Sequence, residues 1–455
     1  MPMHRSTIHR STAFEGVPVT DREVEVLAIG AGPANLALAA AIEESDSTEL
    51  ANNTLLLEQA PDIKWQRDLL MPWARSQVSF LKDLVTLRNP RSKYTFLNFL
   101  HDQGRLDQFV NLGTFHPLRW EFSDYLQWVA TNLEHVTIQY DSRATTITPD
   151  PDHDGTPKGW NVTLTNGDTI HTRDLVIGGG RDPHIPPVFT NLPPHRIIHS
   201  SHYRTRINTI DRDKPLHAVV IGGAQSAAEV FYALHDNLPN STITMIVRSI
   251  GLQNYQTSKF VNELFFPSFV DEFHNSPPEM RAQILDEMRL TNYAGLAPPF
   301  LDELYMMLYQ QRLTNTTRSH IIPMTEVTDA REENNRITLE LHDRKTGKTS
   351  PLHCDLLLLG TGYDTRMPTI IRNLATQTHT TDINVNRNYR LDLGPAKAAV
   401  YLQGVNEATH GIADSLISVL AQRSQDILTD LLTRHTTPEQ RNNPTDRTDS
   451  AGGEA

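Results

Sequence analysis

The residues with the clearest chemical use lie in two glycine turns, each set between an apolar run and an alanine-bearing segment. In the first, Val24, Val26, Ala28 and Ile29 read as a short buried strand, and Gly30-Ala31-Gly32-Pro33 as a tight turn. An apolar helix starts near Ala34. Such a turn carries the backbone sharply off the strand and close to a pyrophosphate, whose charge rests on the helix N-terminus. A second strand returns through Leu55, Leu56 and Leu57 to Glu58, where a carboxylate would accept from ribose hydroxyls. Asn35 stands at the third glycine of the usual pattern, so this helix must pack on its strand with a side chain in between. The same residues would also suit an ordinary strand–helix–strand unit whose glycines only turn the chain.

The second turn repeats the arrangement. Ala218 to Ile221 form a strand, Gly222-Gly223-Ala224-Gln225-Ser226-Ala227 the turn, and an amphipathic helix follows. Its return strand, TITMIVRS, closes on Arg248 rather than on an acid. An acid there would accept from the 2′-hydroxyl of NAD, whereas a guanidinium can pair bidentately with the 2′-phosphate of NADP. Ala224 replaces the second glycine, which sets the backbone slightly further from a pyrophosphate. One unit ending in Glu58 suits a tightly held FAD, and one ending in Arg248 suits NADPH. A protein holding both can pass a hydride from nicotinamide to flavin.

Elements that must position these turns follow from periodicity and breakers. Residues 65–100 are irregular, aromatic-rich and interrupted by Pro72 and Pro90. Dotted with Gln77, Lys82, Arg88 and Asn89, they suit a segment lying over a bound ring system, or a surface loop with an apolar underside. Residues 117–133 space Trp120, Phe122, Tyr125, Leu126 and Val129 as the core stripe of a helix. Short alternating strands fill 135–177 and run into Gly178-Gly179-Gly180 and then prolines, a close approach followed by a domain crossing. Asn262 and Asn292 stand in apolar, aromatic surroundings where unpaired amides are costly, and either tie loops to backbone or face a ligand. A long amphipathic helix is expected from about Asp414, and the tail after His435 has a disordered composition.

The expected fold class is α/β: two Rossmann-like dinucleotide-binding domains with a smaller, mainly helical substrate region. The boundaries read as a flexible leader over 1–22, a first FAD-binding part over 23–205 and an NADPH-binding domain over 206–355. That second domain carries a substrate insertion at about 252–320. Residues 356–435 return to the first domain and end in the C-terminal helix, and 436–455 form the tail. At 455 residues, two or three domains are the prior. A formal charge of −13 argues against a nucleic-acid surface, and one cysteine, Cys354, excludes an internal disulfide and dithiol redox chemistry. The N-terminus has no secretory core, and no apolar run approaches the roughly 20 residues of a membrane span. A cytoplasmic protein is expected.

From 24 to 432 the chain resembles the flavin-dependent N-hydroxylating monooxygenases, the L-ornithine N5- and L-lysine N6-monooxygenases of siderophore and related biosynthesis. The resemblance rests on IGAGPANLALA, VSFLKDLVTLRNPRSKYTFLNFL, PLRWEFSDYLQW, HSSHY, VVIGGAQSAAE, KFVNELFFP, TNYA, GTGYD and YLQGVNEATHGIADSLIS. FLKDL with RNP, and THG with SLIS, are the family-specific parts. It implies that NADPH reduces FAD and that O2 then gives a C4a-hydroperoxide, shielded by NADP+ and attacked by the substrate amine. The amine is the nucleophile, so no dedicated catalytic acid, base or metal is expected, and the protein binds, orients and excludes water.

By the same resemblance Gly30, Gly32, Pro33, Ala34, Asn35, Glu58 and Gln77 line FAD, with Ser415, Leu416 and Ile417 closing over it. Gly223, Ala224, Gln225, Ser226 and Arg248 hold NADPH. Lys82 pairs with the α-carboxylate of the amino acid, Asn262 and Asn292 hold its backbone, and Ser418 lies near it. Gln66 stands where the family often has histidine, Gly360 where it has alanine, and Ala294 where it has serine. L-Ornithine is the expected amine, with lysine or a diamine such as putrescine or cadaverine as alternatives, and a homo-oligomer, such as a tetramer, as the assembly. Paired cysteines are missing for a disulfide reductase, and Tyr203 replaces the tryptophan of the Baeyer–Villiger fingerprint. A dinucleotide-binding protein without turnover is the rival from another class.

Overall fold

The computed structural model describes residues 21–435 except 257, 294 and 395. Of the expected leader only residues 21 and 22 are described, and they belong to the first strand; the expected tail lies outside the described residues.

The first unit begins with β1 (Asp21–Ile29), α1 (Pro33–Glu43) and β2 (Thr54–Leu57), which pair in parallel. Proline at the first helical position starts α1 where its missing N–H costs nothing. Alternation divides β1 between two cores. Val26 and Ala28 face α1, while Leu27 and Ile29 face a second cluster with Ile371 and Leu374. Burial on both faces explains the uninterrupted leucines of β2. The helix α2 (Arg119–Asn132) packs beside α1, and β3 (Thr137–Gln139) extends the sheet beyond β2. A meander of β4 (Ala144–Pro151), β5 (Pro157–Leu164) and β6 (Thr169–Ile177) returns, with β6 parallel to β1.

The chain then crosses to a second, fully parallel sheet. It contains β7 (Ile197–His199), β8 (His217–Ile221), β9 (Thr242–Val247), β10 (Ser319–Pro323) and β14 (Leu356–Leu359), in the order β10-β9-β8-β14-β7. Helix α3 (Gln225–Asn237) connects β8 and β9. An insertion of helices (Lys259–Glu263, Pro267–Asn275, Pro278–Glu287, Arg289–Asn292 and α4, Pro298–Leu313) separates β9 from β10. Between β10 and β14 a small antiparallel sheet is added: β11 (Thr325–Glu333), β12 (Arg336–Asp343) and β13 (Thr349–Cys354). Finally β15 (Val400–Leu402) joins the upper half of β6, and α5 (Leu420–His435) covers α1.

Three expectations need correction. The boundaries at 205 and 355 cut through the second sheet, because β7 and β14 both belong to it. Both are edge or central strands of three or four residues, too short to signal which sheet they join. Trp120 is 41% exposed, under the cations of Lys64 and Arg204, because the buried face of α2 runs through Arg119, Phe122, Tyr125, Leu126 and Val129. The last helix starts at Leu420, not near Asp414. Residues 412–419 form two tight turns because the Asp414 carboxylate is held by the Asn406 N–H (2.6 Å) and by Arg423 (2.8 Å).

Candidate dinucleotide and amine sites

At the first turn Gly30 has φ +88°, and a Cβ there would meet the Gly178 carbonyl at 3.1 Å. Glu58 folds back onto the turn, accepting from the N–H of Ala31 and of Ala60, both at 3.0 Å. The N-terminus of α1 has no side-chain cap, and a Cβ on Gly32 would meet nothing within 4 Å. Free N–H groups, open space and an acid at the end of β2 fit a dinucleotide.

Asn35 resolves its own departure from the glycine pattern. Its amide occupies the volume where a Cβ of Gly178 would stand, 2.7 Å away. It donates to the Ile29 carbonyl (2.9 Å) and the Gly30 carbonyl (2.6 Å) and accepts from Gln403 (2.8 Å). Gln403 in turn accepts from Arg423, whose guanidinium donates to Asp414. This chain of buried polar groups therefore runs from the first turn to the residue preceding Ser415.

At the second turn, α3 again starts without a side-chain cap, after Ala224. A Cβ on Gly223 would meet Val247 at 2.8 Å, so the turn lies tight against the end of β9. Ala227 stands at the third glycine position, and a Cβ on Gly360 would come within 2.3 Å of its methyl. The departure at Gly360 thus makes room for Ala227. Arg248 is exposed just beyond β9. Gln225 faces the interior: it donates to Glu229 (2.9 Å) and accepts from the N–H of Ala297 (2.9 Å), at the start of α4. Glu229 and Arg119 form a buried bidentate pair at 2.7 and 2.8 Å. One cluster thereby joins both dinucleotide units and the insertion.

The amine end gathers residues from three regions. Lys82 donates to the Ser418 hydroxyl at 3.3 Å, and burial pushes its ammonium pKa down. Ile412, Ala413 and Val419 pack with Phe265, Val270 and Met288 of the insertion, with Val261 and Leu416 alongside. Asn262 follows Val261 in its helix, and Asn292 ends the short helix Arg289–Asn292. The Tyr293 hydroxyl donates to the Glu407 carboxylate, which ties that helix to the segment before Ser415. Lys82 and Ser418 touch; Asn262 is exposed and Asn292 half-buried on the insertion. Gln77 is exposed on the irregular segment, and Gln66 adopts φ +51° there. Ala294 lies outside the described residues.

Sequence reasoning gave no role to Arg119, Glu229, Gln403, Asp414 or Arg423. A signal existed for two of them: Arg119 and Arg423 are charges on the apolar faces of their helices.

Two uncapped glycine turns, each set between parallel strands, with a half-buried lysine on Ser418, define a flavoprotein of the two-dinucleotide class. The sequence model of the L-lysine 6-monooxygenase/L-ornithine 5-monooxygenase family matches residues 22–365, and the chain belongs to this family. An L-ornithine N(5)-oxygenase from Arthrobotrys oligospora is 37% identical over 430 residues, covering 90% of this chain and 88% of that protein. The solved ornithine N-hydroxylase of Kutzneria sp. 744, with reduced FAD, NADP+ and L-orn, is 32% identical with a TM-score of 0.85, covering 91% and 100%. The solved L-lysine 6-monooxygenase of Pseudomonas syringae is 31% identical with a TM-score of 0.80, covering 91% and 100%. Among the described residues no helix is long and apolar enough to cross a membrane.

Proposed function

We propose that this chain is an NADPH- and FAD-dependent monooxygenase that N-hydroxylates L-ornithine to N5-hydroxy-L-ornithine, for siderophore or related natural-product biosynthesis. The observation that carries the substrate reading is Lys82. Its ammonium is half-buried against Ser418, and among the described residues no carboxylate pairs with it. A partly dehydrated cation without a counter-charge favours a ligand that brings a carboxylate, hence an amino acid rather than a diamine.

Bound FAD, once reduced by NADPH, supplies the activation of O2. The chain's own residues do the rest. Gly30, Gly32, Pro33, Ala34 and Asn35 form the turn and helix start that receive the pyrophosphate, with Glu58 on the ribose. Gln77, Ser415, Leu416 and Ile417 line and cover the ring. Gly223, Ala224, Gln225, Ser226 and Arg248 receive NADPH. Lys82, Asn262, Asn292 and Ser418 grip the α-amino acid end, which leaves the side-chain amine free to act as nucleophile. No side chain is assigned as acid or base; positioning and water exclusion supply the rate. We place the enzyme in the cytoplasm as a homo-oligomer, such as a tetramer, with O2 as co-substrate.

Lysine is the second reading, supported by the relative from Pseudomonas syringae. A pocket discriminates one methylene by only about 1–3 kcal/mol. The test is hydroxylamine and H2O2 formation by the FAD-loaded protein with NADPH, offered ornithine, lysine and putrescine. Ornithine is expected to give product with little peroxide, and peroxide alone from all three would sink the substrate reading. Lys82→Ala should raise the ornithine KM about tenfold or more, with flavin reduction by NADPH intact. Loss of FAD binding in that variant would remove Lys82 from the substrate site.

A further inference from the structure

The far end of the second cradle is braced by the small antiparallel sheet. Arg344, in the turn between β12 and β13, donates from Nη1 to the carbonyl of Arg248 at 3.0 Å. Its own N–H donates to the Met324 carbonyl (2.8 Å), and the Met324 N–H donates to the Ser249 carbonyl (2.9 Å). The hairpin turn is thus fixed against the two residues that follow β9.

That point has a defined place relative to a dinucleotide. In the first unit Ile29 pairs with Leu57, and Glu58 follows. In the second, Ile221 pairs with Ile246, and Arg248 stands two residues on, at the corresponding strand end. This is where the adenosine ribose of a dinucleotide on the second turn carries its 2′-substituent. The Arg344 guanidinium lies against it. Among the described residues neither Arg248 nor Arg344 has a carboxylate within ion-pair distance, although the chain carries a formal charge of −13. The nearest acid in sequence, Asp343, accepts from the Lys345 N–H inside its own turn (2.8 Å). The Arg344 guanidinium thus rests on the backbone of Arg248, and with no carboxylate paired to either residue, the two cations are available to one anion at this strand end.

We propose that Arg344 is a second specificity-determining residue for NADPH, contacting the 2′-phosphate together with Arg248. The inference rests on the reading of the second cradle as the NADPH site. It gives the small sheet a purpose, since the hairpin brings to the phosphate a second cation beside the one at the end of the strand–helix–strand unit. A phosphate held from two sides is also held in one orientation, which fixes the adenosine end while the nicotinamide reaches the flavin.

Titration calorimetry with 2′,5′-ADP and with 5′-AMP on the FAD-loaded protein tests it without turnover. The wild type should prefer 2′,5′-ADP strongly. Arg344→Gln should weaken 2′,5′-ADP about tenfold and leave 5′-AMP unchanged, at unaltered FAD content. Arg344→Lys, keeping the charge but not the fork, should fall between. The Arg248→Gln/Arg344→Gln double variant should bind 2′,5′-ADP more weakly than either single one. Unchanged 2′,5′-ADP binding in Arg344→Gln overturns the proposal. So does an Arg344 effect that vanishes in the Arg248→Gln background, because Arg344 would then only hold the Arg248 backbone. A wild type without preference for 2′,5′-ADP overturns the NADPH reading itself, and the proposal with it.

Discussion

In the first cradle the residue at the third glycine position is Asn35, facing Gly178; in the second it is Ala227, facing Gly360. Each helix keeps a side chain where the pattern calls for hydrogen, and each facing strand end lacks one. The sum of volumes at the helix–strand contact is what the fold conserves internally, not the identity of either partner. The two solutions then diverge. Asn35 is polar, and its amide anchors a buried chain through Gln403 and Arg423 to Asp414. Ala227 contributes only its methyl, and the anchoring of the second unit falls to other residues of α3, Gln225 and Glu229, which reach outward to Ala297 and Arg119. The first cradle is tied to the segment that would close over its own ligand. The second is tied to its neighbours.

The largest effect should come from cutting that outward tie. Arg119→Ala leaves the Glu229 carboxylate buried without its partner, a loss of about 3–5 kcal/mol. Thermal unfolding of the FAD-loaded protein would read it, and a change below 1 kcal/mol would mean that the two units are not joined through this pair. Next is the inward tie. Asn35→Ala strands the Gln403 amide and the Gly30 carbonyl and leaves the Ile29 carbonyl with the Gly178 N–H alone, about 3 kcal/mol, and should accelerate FAD loss on dilution. If FAD retention is unaffected, the buried chain is packing and nothing more.

The volume argument is tested by Gly360→Ala, which drives a methyl into Ala227 and should cost about 1–3 kcal/mol. Adding Ala227→Gly should restore only part of that loss, because the new methyl would still stand 2.5 Å from the Cα of residue 227 and a helical glycine itself costs about 1 kcal/mol. A double variant no better than the single one would break the parallel between the cradles. The smallest effect concerns acid. His410, buried and stacked on Tyr389 beside the first unit, has its pKa pushed down by burial to about 4. A folded value below the unfolded one, about 6.5, means that the unfolded chain binds the proton first. The stability is present in full above that value and is lost as pH falls towards 4. Between pH 6.5 and 5.5 the loss should be about 1 kcal/mol, and His410→Gln should flatten that slope.

Much of this protein is written locally. Strand, glycine turn, helix and strand were legible twice because each signal spans a few residues and arises from backbone geometry and alternation alone. Glu58 and Arg248 were legible as the ends of return strands for the same reason. The irregular run containing Lys82 and the mainly helical insertion also followed from breakers and periodicity. Strand membership was not. The assignment of β7 and β14 to the second sheet depends on which parallel neighbour lies beside them, and three or four apolar residues do not encode that.

The contacts that give the site its chemistry are of another kind. Lys82 and Ser418 are 336 residues apart, Asn35 and Gln403 are 368, and Arg119 and Glu229 are 110. The sequence by itself determined the units, their order and the residue types at their ends, because those are set by steric and hydrogen-bonding rules acting over one or two turns of chain. Only the tertiary structure decided which buried charges meet, which glycine yields to which side chain, and which hairpin lies against Arg248. Those outcomes are set by desolvation and close packing, which act only once distant segments share the same water-free volume.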